Sequence, residues 1–321
     1  MIVLVTGGAG FIGANLCRVL AAHPEVTRTV VLDDLSTGSA SNLDGVPGVS
    51  LVVGSILDES ALRRAAAGAD AIVHLAARPS VPLSIVDPVA SNRVNVTGTI
   101  AVLEAARETN AYVVVASSSA VYGDSPVSPK SEDMPTRPLS PYGVSKVATE
   151  EYANAYLHSF NTPTLALRFF NVYGPLQPAG HAYAAVVPAF VAAAIEHRPM
   201  PMYGDGMQVR DFVFVDTVCD VLTTAVTERV VSATPVNLAS GTSTDLNELV
   251  RTLERVVAYP LTVEHLLART GDILVSTADQ RAFRGLFPHC APVDLATGLA
   301  RTVEWFRTGR HPRDIAPPAG D

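Results

Sequence analysis

A tyrosine and a lysine four residues apart are the side chains of this sequence best suited to move a proton. They are Tyr142 and Lys146, in the run Tyr-Gly-Val-Ser-Lys. On a helix, this spacing places two side chains on one face, one turn apart. A free tyrosine loses its proton near about pH 10, and a neighbouring ammonium group favours the phenolate. The pair therefore predicts a general base that takes a proton from a substrate hydroxyl group.

A run of serines upstream can complete this arrangement. An apolar stretch at 112–117 leads into Ser-Ser-Ser-Ala-Val-Tyr-Gly at 117–123. Ligands of open α/β sheets bind at the carboxyl ends of the strands, which is where these hydroxyl groups lie. A tyrosine and lysine at this spacing are common by chance on exposed helices. The serine run favours a Ser/Tyr/Lys triad, in which a hydroxyl holds the reacting oxygen.

A glycine-rich turn predicts a dinucleotide site. Gly7, Gly10 and Gly13 stand between the first apolar stretch and a helical pattern, and Asp33 ends the second apolar stretch. Glycines let the chain reverse tightly and let a pyrophosphate approach the amides of a helix N-terminus. An acidic residue at the end of the second strand accepts hydrogen bonds from the adenosine ribose and repels a 2′-phosphate. The sequence therefore predicts NAD rather than NADP as the cofactor.

The elements that must position these residues alternate in type. Continuous apolar stretches are typical of strands buried on both faces of a parallel sheet. Six of them lie at 1–6, 29–33, 50–53, 71–75, 112–117 and 164–168. Helical patterns between them lie at 11–22, 59–67, 92–108 and 141–160. This alternation predicts an α/β fold with a doubly wound parallel sheet (Rossmann), which forms an NAD-binding domain over residues 1–170.

The texture changes after residue 170. Loops rich in glycine and proline alternate with short helical patterns, which predicts a smaller C-terminal α/β substrate-binding lobe. We expect this substrate-binding lobe at 171–312, with some chain crossing back to the sheet, and a flexible tail at 313–321. Its helical patterns lie at 187–196, 217–228, 245–257 and 295–308.

The composition narrows the partners. With 48% hydrophobic residues, the 321-residue chain can bury a large core, and its net charge of −8 argues against nucleic acid or an anionic membrane. The first residues carry no signal-peptide pattern, and charges or prolines interrupt every apolar stretch. Cys17, Cys219 and Cys290 are scattered, as in reduced proteins. We expect a cytoplasmic enzyme that uses no metal.

Seven motifs together resemble the extended short-chain dehydrogenase/reductase family, and most closely its UDP-glucose and UDP-N-acetylglucosamine 4-epimerases. They cover about residues 1–280 in the family's order. The motifs are TGGAGFIG at 6–13, HLAA at 74–77, SSSAVYG at 117–123, YGVSK at 142–146, RFFNVYGP at 168–175, GDGMQVRD at 204–211 and RTGD at 269–272.

The resemblance assigns roles to individual positions. Ser118, Tyr142 and Lys146 would be the catalytic triad. The cofactor would contact Gly7, Gly10, Phe11, Ile12, Gly13, Asp33, Ile56, Leu75, Ala76, Ala77, Asn95, Tyr142, Lys146 and Phe169. A UDP-sugar would contact Ser118, Ser119, Tyr142, Asn171, Ala185, Val186, Tyr203, Arg210, Arg269, Asp272 and Ser276. Where the family often carries an aspartate for the adenine amino group, this chain has Ser55. The family also implies a homodimer built on the helices at 92–108 and 141–160.

Neighbouring residues favour one reaction within the family. The 4,6-dehydratases carry an Asp-Glu pair after the triad hydroxyl residue, and this chain has Ser119 and Ala120. Glucuronate 4-epimerases typically carry threonine at Asn171 and arginine at Pro178. We therefore expect a 4-epimerase that inverts C4 of a UDP-hexose through a 4-keto intermediate. A dehydratase, a UDP-glucuronate 4-epimerase and a non-catalytic NAD-binding sensor remain alternatives.

The size of the sugar pocket depends on one further position. Four residues beyond Asp272, the family places a gatekeeper, and a bulky tyrosine there restricts the pocket to glucose and galactose. This chain has Ser276. A small side chain leaves room for an N-acetyl group at C2 and offers it a hydroxyl. It could equally be small because a neighbouring strand packs closely.

Overall fold

A seven-stranded parallel sheet forms the centre of the fold in the computed structural model, which describes residues 1–179, 185–268 and 273–314. The first six strands are β1 (Ile2–Thr6), β2 (Arg28–Asp33), β3 (Val49–Val53), β4 (Ala71–His74), β5 (Tyr112–Ser118) and β6 (Thr164–Phe169). The others are β7 (Asn171–Tyr173), β8 (Met200–Tyr203), β9 (Val209–Arg210), β10 (Phe212–Phe214), β11 (Val236–Leu238), β12 (Thr244–Asp245), β13 (Val263–Leu266) and β14 (Val275–Ser276).

The predicted Rossmann sheet is confirmed. Each of the six predicted strands differs from the observed strand by at most one residue at either end. The order across the sheet is β11-β6-β5-β4-β1-β2-β3, and every neighbouring pair is parallel. Because the order reverses between β1 and β4, a crevice opens at their carboxyl ends, where ligands of such sheets bind.

Eleven α-helices lie within the described residues. They are α1 (Phe11–Ala22), α2 (Glu59–Ala66), α3 (Val81–Val86), α4 (Pro88–Asn92), α5 (Gly98–Thr109), α6 (Pro141–Phe160), α7 (Val186–Ile195), α8 (Val215–Glu228), α9 (Leu246–Val257), α10 (Arg281–Leu286) and α11 (Leu295–Thr308). Among these, none is long and apolar enough to cross a membrane.

One predicted helix is wrong in detail. Instead of a continuous helix at 92–108, the chain forms a π-helix at Arg93–Thr97 that continues into α5. The apolar pattern marks only the buried face, so it does not distinguish a π-turn from an α-turn. The short helices α3, α4 and α10 were not predicted, since α3 and α4 each carry a proline in their first turn and their sequence resembles a loop.

The C-terminal half contributes small sheets around the same core. Strand β9 lies between β12 and β14, and β10 pairs with β7. Strand β11 extends the main sheet beside β6, so the chain does return to the sheet after residue 171. A single apolar cluster includes Val5 of β1, Leu16 of α1, Phe190 of α7 and Leu222 of α8. The two halves therefore share one packed interior.

Candidate active site

The three predicted triad residues lie together where β5 meets α6. The Ser118 hydroxyl lies close enough to the phenol of Tyr142 to lower its pKa. One turn along α6, the Lys146 ammonium donates to the Ala116 carbonyl oxygen at 2.7 Å, and its nitrogen lies 5.8 Å from the centre of the Tyr142 ring. The strand end and the helix thus hold a hydroxyl, a phenol and an ammonium group in one cluster.

Local sequence explains where α6 begins. The Ser140 side chain caps the helix by accepting from the Gly143 amide, and Pro141 occupies the first turn, where its missing N–H costs nothing. A Cβ on Gly143 would lie 2.9 Å from the Ala120 carbonyl oxygen. Glycine there lets the helix approach the segment that follows Ser118, which brings Tyr142 within reach of that serine.

Burial opposes the charged forms of both titratable groups. Burial raises the pKa of Tyr142, and the interaction with Ser118 offsets only part of this rise. It lowers the pKa of Lys146 to about 8, although the nearby Glu150 carboxylate acts in the opposite direction. Lys146 thus remains an ammonium ion at neutral pH. The sequence predicted that this ammonium favours the phenolate; in the protein alone, burial of the phenol is the larger effect.

The glycine turn forms a cradle that larger residues would fill. Gly7 has a φ of +73°, and a Cβ there would lie 2.7 Å from the Ala76 amide nitrogen. A Cβ on Gly13 would collide with the Gly7 carbonyl oxygen. Gly10 precedes α1 as an N-cap without a side-chain hydrogen bond to the first turn. The amide end of α1 is therefore open to an anion, so these residues fit the pyrophosphate of a dinucleotide.

Asp33 lies beside this cradle. Its carboxylate accepts from the Ala9 amide at 2.9 Å and from the Leu35 amide at 2.8 Å. A carboxylate oxygen can accept more than one hydrogen bond, so ribose hydroxyl groups can still bind there. Asp58, by contrast, caps α2 through the amides of Ser60 and Ala61. That leaves the adenine position beside Ser55 without an assigned acidic acceptor.

The other predicted cofactor residues surround the crevice. Leu75, Ala76 and Ala77 follow β4, and Phe169 ends β6 as the register partner of Ser118. Phe11 and Ile12 begin α1, half-buried. Ile56 is buried, and its side chain would collide with a Cβ on Gly98.

Asn95 is buried, and its side chain is hydrogen-bonded to neighbouring residues of the crevice. Its side chain accepts from the Arg78 amide at 2.8 Å and donates to the Ser145 hydroxyl at 3.0 Å. The backbone carbonyl oxygen of Asn95 accepts from the Thr99 hydroxyl at 2.6 Å. Since Ser145 precedes Lys146, the π-helix is tied to the catalytic helix.

His74 has no chemical role in this arrangement. Its two ring nitrogens bond the hydroxyl groups of Thr6, at 2.8 Å, and Thr99, at 3.0 Å. Burial, assisted by the charge of Lys146, lowers its pKa to about 3. The neutral imidazole of His74 therefore links β4 to β1 and α5 through these two hydrogen bonds.

Two predicted substrate residues stand side by side in the small sheet. Arg210 of β9 is the register partner of Ser276 in β14. The Arg210 guanidinium donates to the carbonyl oxygens of Ile273, at 2.6 Å, and Val209, at 3.0 Å. Ser276 is 9% exposed. Because register partners of parallel strands face the same side of a sheet, the serine hydroxyl lies on the arginine side.

The remaining predicted substrate residues are more widely spread. The Asn171 side chain donates to the carbonyl oxygen of Asp211, the residue that follows β9, at 3.0 Å. Tyr203 ends β8, and Ser119 opens a 3-10 helix at Ser119–Tyr122. Ala185 is the N-cap of α7, with no side-chain cap, and Val186 is its first residue. Arg269 and Asp272 lie outside the described residues.

Sequence reasoning missed several residues that support the triad. Ser84, fully buried on α3, accepts from the Tyr142 amide at 3.0 Å. Ser117 donates to Glu150, which forms a buried ion pair with Arg168. A signal for Glu150 was available, because it follows Lys146 by the same four residues that separate Lys146 from Tyr142. Nothing in the sequence indicated Ser84.

Comparison with known proteins agrees with this geometry. Residues 3–239 match the NAD dependent epimerase/dehydratase family. A UDP-glucose 4-epimerase of Mycolicibacterium smegmatis is 39% identical over 95% of this chain and 98% of its own length. A dTDP-glucose 4,6-dehydratase of Streptomyces griseus is 35% identical over 99% of this chain and 97% of its own.

Solved structures show the same similarity. The UDP-N-acetylglucosamine 4-epimerase from Methanobrevibacter ruminantium M1, in complex with UDP-N-acetylmuramic acid, superposes with a TM-score of 0.89. It is 32% identical, and the match covers 96% of this chain and 98% of that one. The chain therefore belongs to the NAD-dependent epimerase/dehydratase family, and NAD is its cofactor.

Proposed function

We propose that this protein is a nucleotide-sugar 4-epimerase that inverts C4 of a UDP-hexose through a 4-keto intermediate. One observation carries the proposal: the cluster of Ser118, Tyr142 and Lys146 at the end of β5 is followed by Ser119 and Ala120, which bear no carboxylate. An epimerase needs a base and a hydride acceptor at C4. It needs no second acid to remove water.

The roles of the triad follow from their contacts. We assign Ser118 to the C4 oxygen, because its hydroxyl lies close to the phenol that takes the proton. Tyr142 removes the C4 hydroxyl proton as a phenolate. Lys146 and the positive charge of the oxidised nicotinamide oppose the burial that raises the pKa of the phenol. NAD, when bound, supplies a reversible hydride acceptor at C4.

Position 120 disfavours the dehydratase reaction. Elimination of water across C5 and C6 requires groups that move protons beside the sugar. The Ala120 amide donates to the Ser118 hydroxyl at 3.2 Å, so this residue lies next to the triad. Its methyl side chain cannot carry a proton. The same geometry therefore supports epimerisation over dehydration, despite the 35% identity to a dehydratase.

Features of the C-terminal half support a nucleotide site there. Arg210 offers a fork of donors suited to a diphosphate, and the uncapped first turn of α7 at Ala185 and Val186 favours an anion. Tyr203 provides a flat face for uracil. We assign Arg269 to the diphosphate and Asp272 to the ribose hydroxyls on the strength of the family motif alone.

We also propose that N-acetylated sugars are substrates. Ser276 lies beside Arg210, as expected for a residue close to the sugar diphosphate. A hydroxymethyl group leaves space that an aromatic ring would fill, and the hydroxyl can bond an acetamido group. The similarity to a UDP-N-acetylglucosamine 4-epimerase supports this extension.

We propose that the protein forms a homodimer and that it is located in the cytoplasm. Helix α6 presents Val144 and Phe160, which are 55% and 50% exposed, and Arg107 of α5 stacks on Phe160 at 5.2 Å from the ring centre. Exposed apolar side chains on these helices suit contact with a second copy of the chain. The free thiols of Cys17, Cys219 and Cys290 suit a reducing compartment.

Incubation with a panel of nucleotide sugars tests the proposal. Proton NMR of the anomeric signals should show each UDP-hexose converting to its 4-epimer, with no net change in bound NAD. A stable 4-keto product, detected by its ultraviolet absorption in alkali, would identify a dehydratase instead. Turnover of UDP-glucuronate alone would identify the uronate epimerase. Binding of NAD without turnover of any sugar would identify a sensor.

A further inference from the structure

Three consecutive residues of β5 contact three residues of α6 that are spaced one helical turn apart. Two of these contacts involve the triad, and the third does not. The pairs are Ser118 with Tyr142, Ala116 with Lys146 and Ser117 with Glu150. The third contact is a hydrogen bond from the Ser117 hydroxyl to the Glu150 carboxylate. It continues the line of contacts along the helix, so it fixes how α6 is rotated over β5.

Glu150 is held by a second strand as well. Arg168 of β6 makes two parallel hydrogen bonds to its carboxylate, both at 2.8 Å. The side chains of Arg168 and Glu150 are only 4% and 2% exposed. A bidentate pair with a third donor from Ser117 satisfies a buried carboxylate well, and its geometry is specific. The glutamate is therefore fixed in place.

The same arginine reaches the segment after the triad serine. It donates to the Tyr122 hydroxyl at 2.9 Å and to the Glu132 carbonyl oxygen at 3.3 Å. Tyr122 in turn donates to the Asn237 side chain of β11 at 2.6 Å. The buried pair thus connects α6 with the chain that leaves Ser118.

We infer that Glu150 is a positioning residue: clamped by Ser117 and Arg168, it sets the rotation of α6 and holds Lys146 as the ammonium ion that Tyr142 requires. The inference rests on the proposed function. The Glu150 side chain is only 2% exposed, and its carboxylate is bonded to Ser117 and Arg168. It acts through Lys146, and Ser117 and Arg168 act through Glu150.

The charged groups around Lys146 determine in which direction Glu150 changes its pKa. Tyr142 and Glu150 face it from α6, the neutral His74 faces it from β4, and Arg168 of β6 lies behind Glu150. Burial lowers the pKa of Lys146, and Glu150 raises it. Without that carboxylate the ammonium loses its proton at a lower pH. The phenol, lacking the ammonium, then ionises at a higher pH, so activity is confined to a narrower pH range.

Two variants separate the charge from the hydrogen bond. In Glu150→Gln/Arg168→Gln, two neutral amides replace the ion pair, so neither member of the pair remains as a buried charge without its partner. Ser117→Ala removes only the hydroxyl, and Ser117→Thr restores it. The matched control is Glu248→Gln/Arg251→Gln, which neutralises an exposed ion pair on α9.

The pH profile of kcat is the first measurement. For the double glutamine variant at 150 and 168, we expect the alkaline limb to fall and the acid limb to rise, each by about 1 to 2 pH units. Ser117→Ala should lose about 3- to 10-fold in kcat with KM and both limbs unchanged, and Ser117→Thr should recover it. The control at 248 and 251 should match the parent. Parental limbs in the double variant, or parental kcat in Ser117→Ala, would overturn the inference.

A second measurement does not depend on the sugar. The phenolate absorbance of Tyr142 can be titrated in the NAD-bound protein as the difference between each variant and the same variant carrying Tyr142→Phe. We expect the titration to move to higher pH in the double glutamine variant and to stay in place in the control. A shifted titration in a protein that epimerises no sugar would reject the proposed function and keep the role of Glu150. An unshifted titration in an active epimerase would do the reverse.

Discussion

The Asp33 carboxylate accepts a hydrogen bond from the Ala9 amide at 2.9 Å, inside the glycine turn that we assign to the pyrophosphate. Its other oxygen accepts from the Leu35 amide at 2.8 Å. One buried side chain therefore holds the turn in shape and carries the negative charge that we predict to face the adenosine ribose. A substitution at this position acts on both features unless it keeps an acceptor in place.

Asp33→Asn should separate them, because the amide oxygen still accepts from one backbone N–H while the charge is lost. We expect NAD affinity to fall by roughly 10- to 100-fold, since a hydrogen bond to a charged group contributes about 1.5–3 kcal/mol. NADP should be rejected less strongly. Asp33→Ala, which loses the turn contact too, should bind NAD more weakly still.

Calorimetry on cofactor-stripped protein measures both affinities. Asp34→Asn is the control, because the neighbouring Asp34 is exposed and its carboxylate accepts from the local Ser36 amide. Equal NAD affinity in Asp33→Asn and the parent would remove Asp33 from the ribose site.

The features predicted best from the sequence are those set by residues close together in the chain, such as the ends of helices. Helix α6 begins and ends where predicted, because Ser140 and Pro141 specify its start and Asn161 adopts a left-handed conformation after its end. The bond between Asp33 and Ala9 could not be predicted in this way, because it joins residues 24 positions apart. Nor could the raised pKa of Tyr142, since it arises from burial by the surrounding fold.

Tyr142→Phe should abolish turnover and spare binding. The ring still packs in the same site, but the phenol that removes the C4 proton is gone. We expect kcat to fall by about 100- to 10,000-fold, the usual contribution of a general base, with the UDP dissociation constant changed little. Tyr152→Phe, which removes an exposed phenol from the same helix, is the control. A kcat near the parental value would show that another group is the base.

Lys146→Met should inactivate the enzyme and stabilise the cofactor-free fold. Burial lowers the pKa of Lys146 from 10.5 to about 8, so below pH 8 the folded protein carries a buried charge at a cost of roughly 3 kcal/mol. Methionine avoids this cost but loses the bond to the Ala116 carbonyl. We expect the free energy of unfolding at pH 7 to rise by about 1–2 kcal/mol.

The pH dependence of that difference has a definite sign. Between pH 8 and 10.5 the unfolded state binds the proton that the folded state has released, so the parent gains stability as pH rises. Urea unfolding at several pH values should show the advantage of methionine shrinking across this window. A constant difference would mean that Lys146 titrates normally in the fold.

Arg210→Ala should weaken nucleotide binding and leave kcat nearly unchanged. Its guanidinium is the predicted partner of the diphosphate, and a charged contact to phosphate contributes about 1.5–3 kcal/mol. The UDP dissociation constant should rise by roughly 10- to 100-fold. Arg269→Ala should have a similar effect, and Arg251→Ala, on the exposed face of α9, should have none. Unchanged UDP binding in Arg210→Ala would place the diphosphate elsewhere.

Ser276→Tyr should narrow the range of sugars. Ser276 is 9% exposed and is the register partner of Arg210, so we expect a tyrosine ring there to fill space next to the proposed diphosphate site. We expect the variant to lose turnover of UDP-N-acetylglucosamine and UDP-N-acetylgalactosamine through steric exclusion while keeping that of UDP-glucose. Ser276→Ala keeps the space and removes the hydroxyl, so it should raise KM for the acetylated sugars only. Comparison of kcat/KM for the paired substrates checks both variants. If the parent converts UDP-glucose but ignores acetylated sugars even with Ser276 in place, another residue forms the gate.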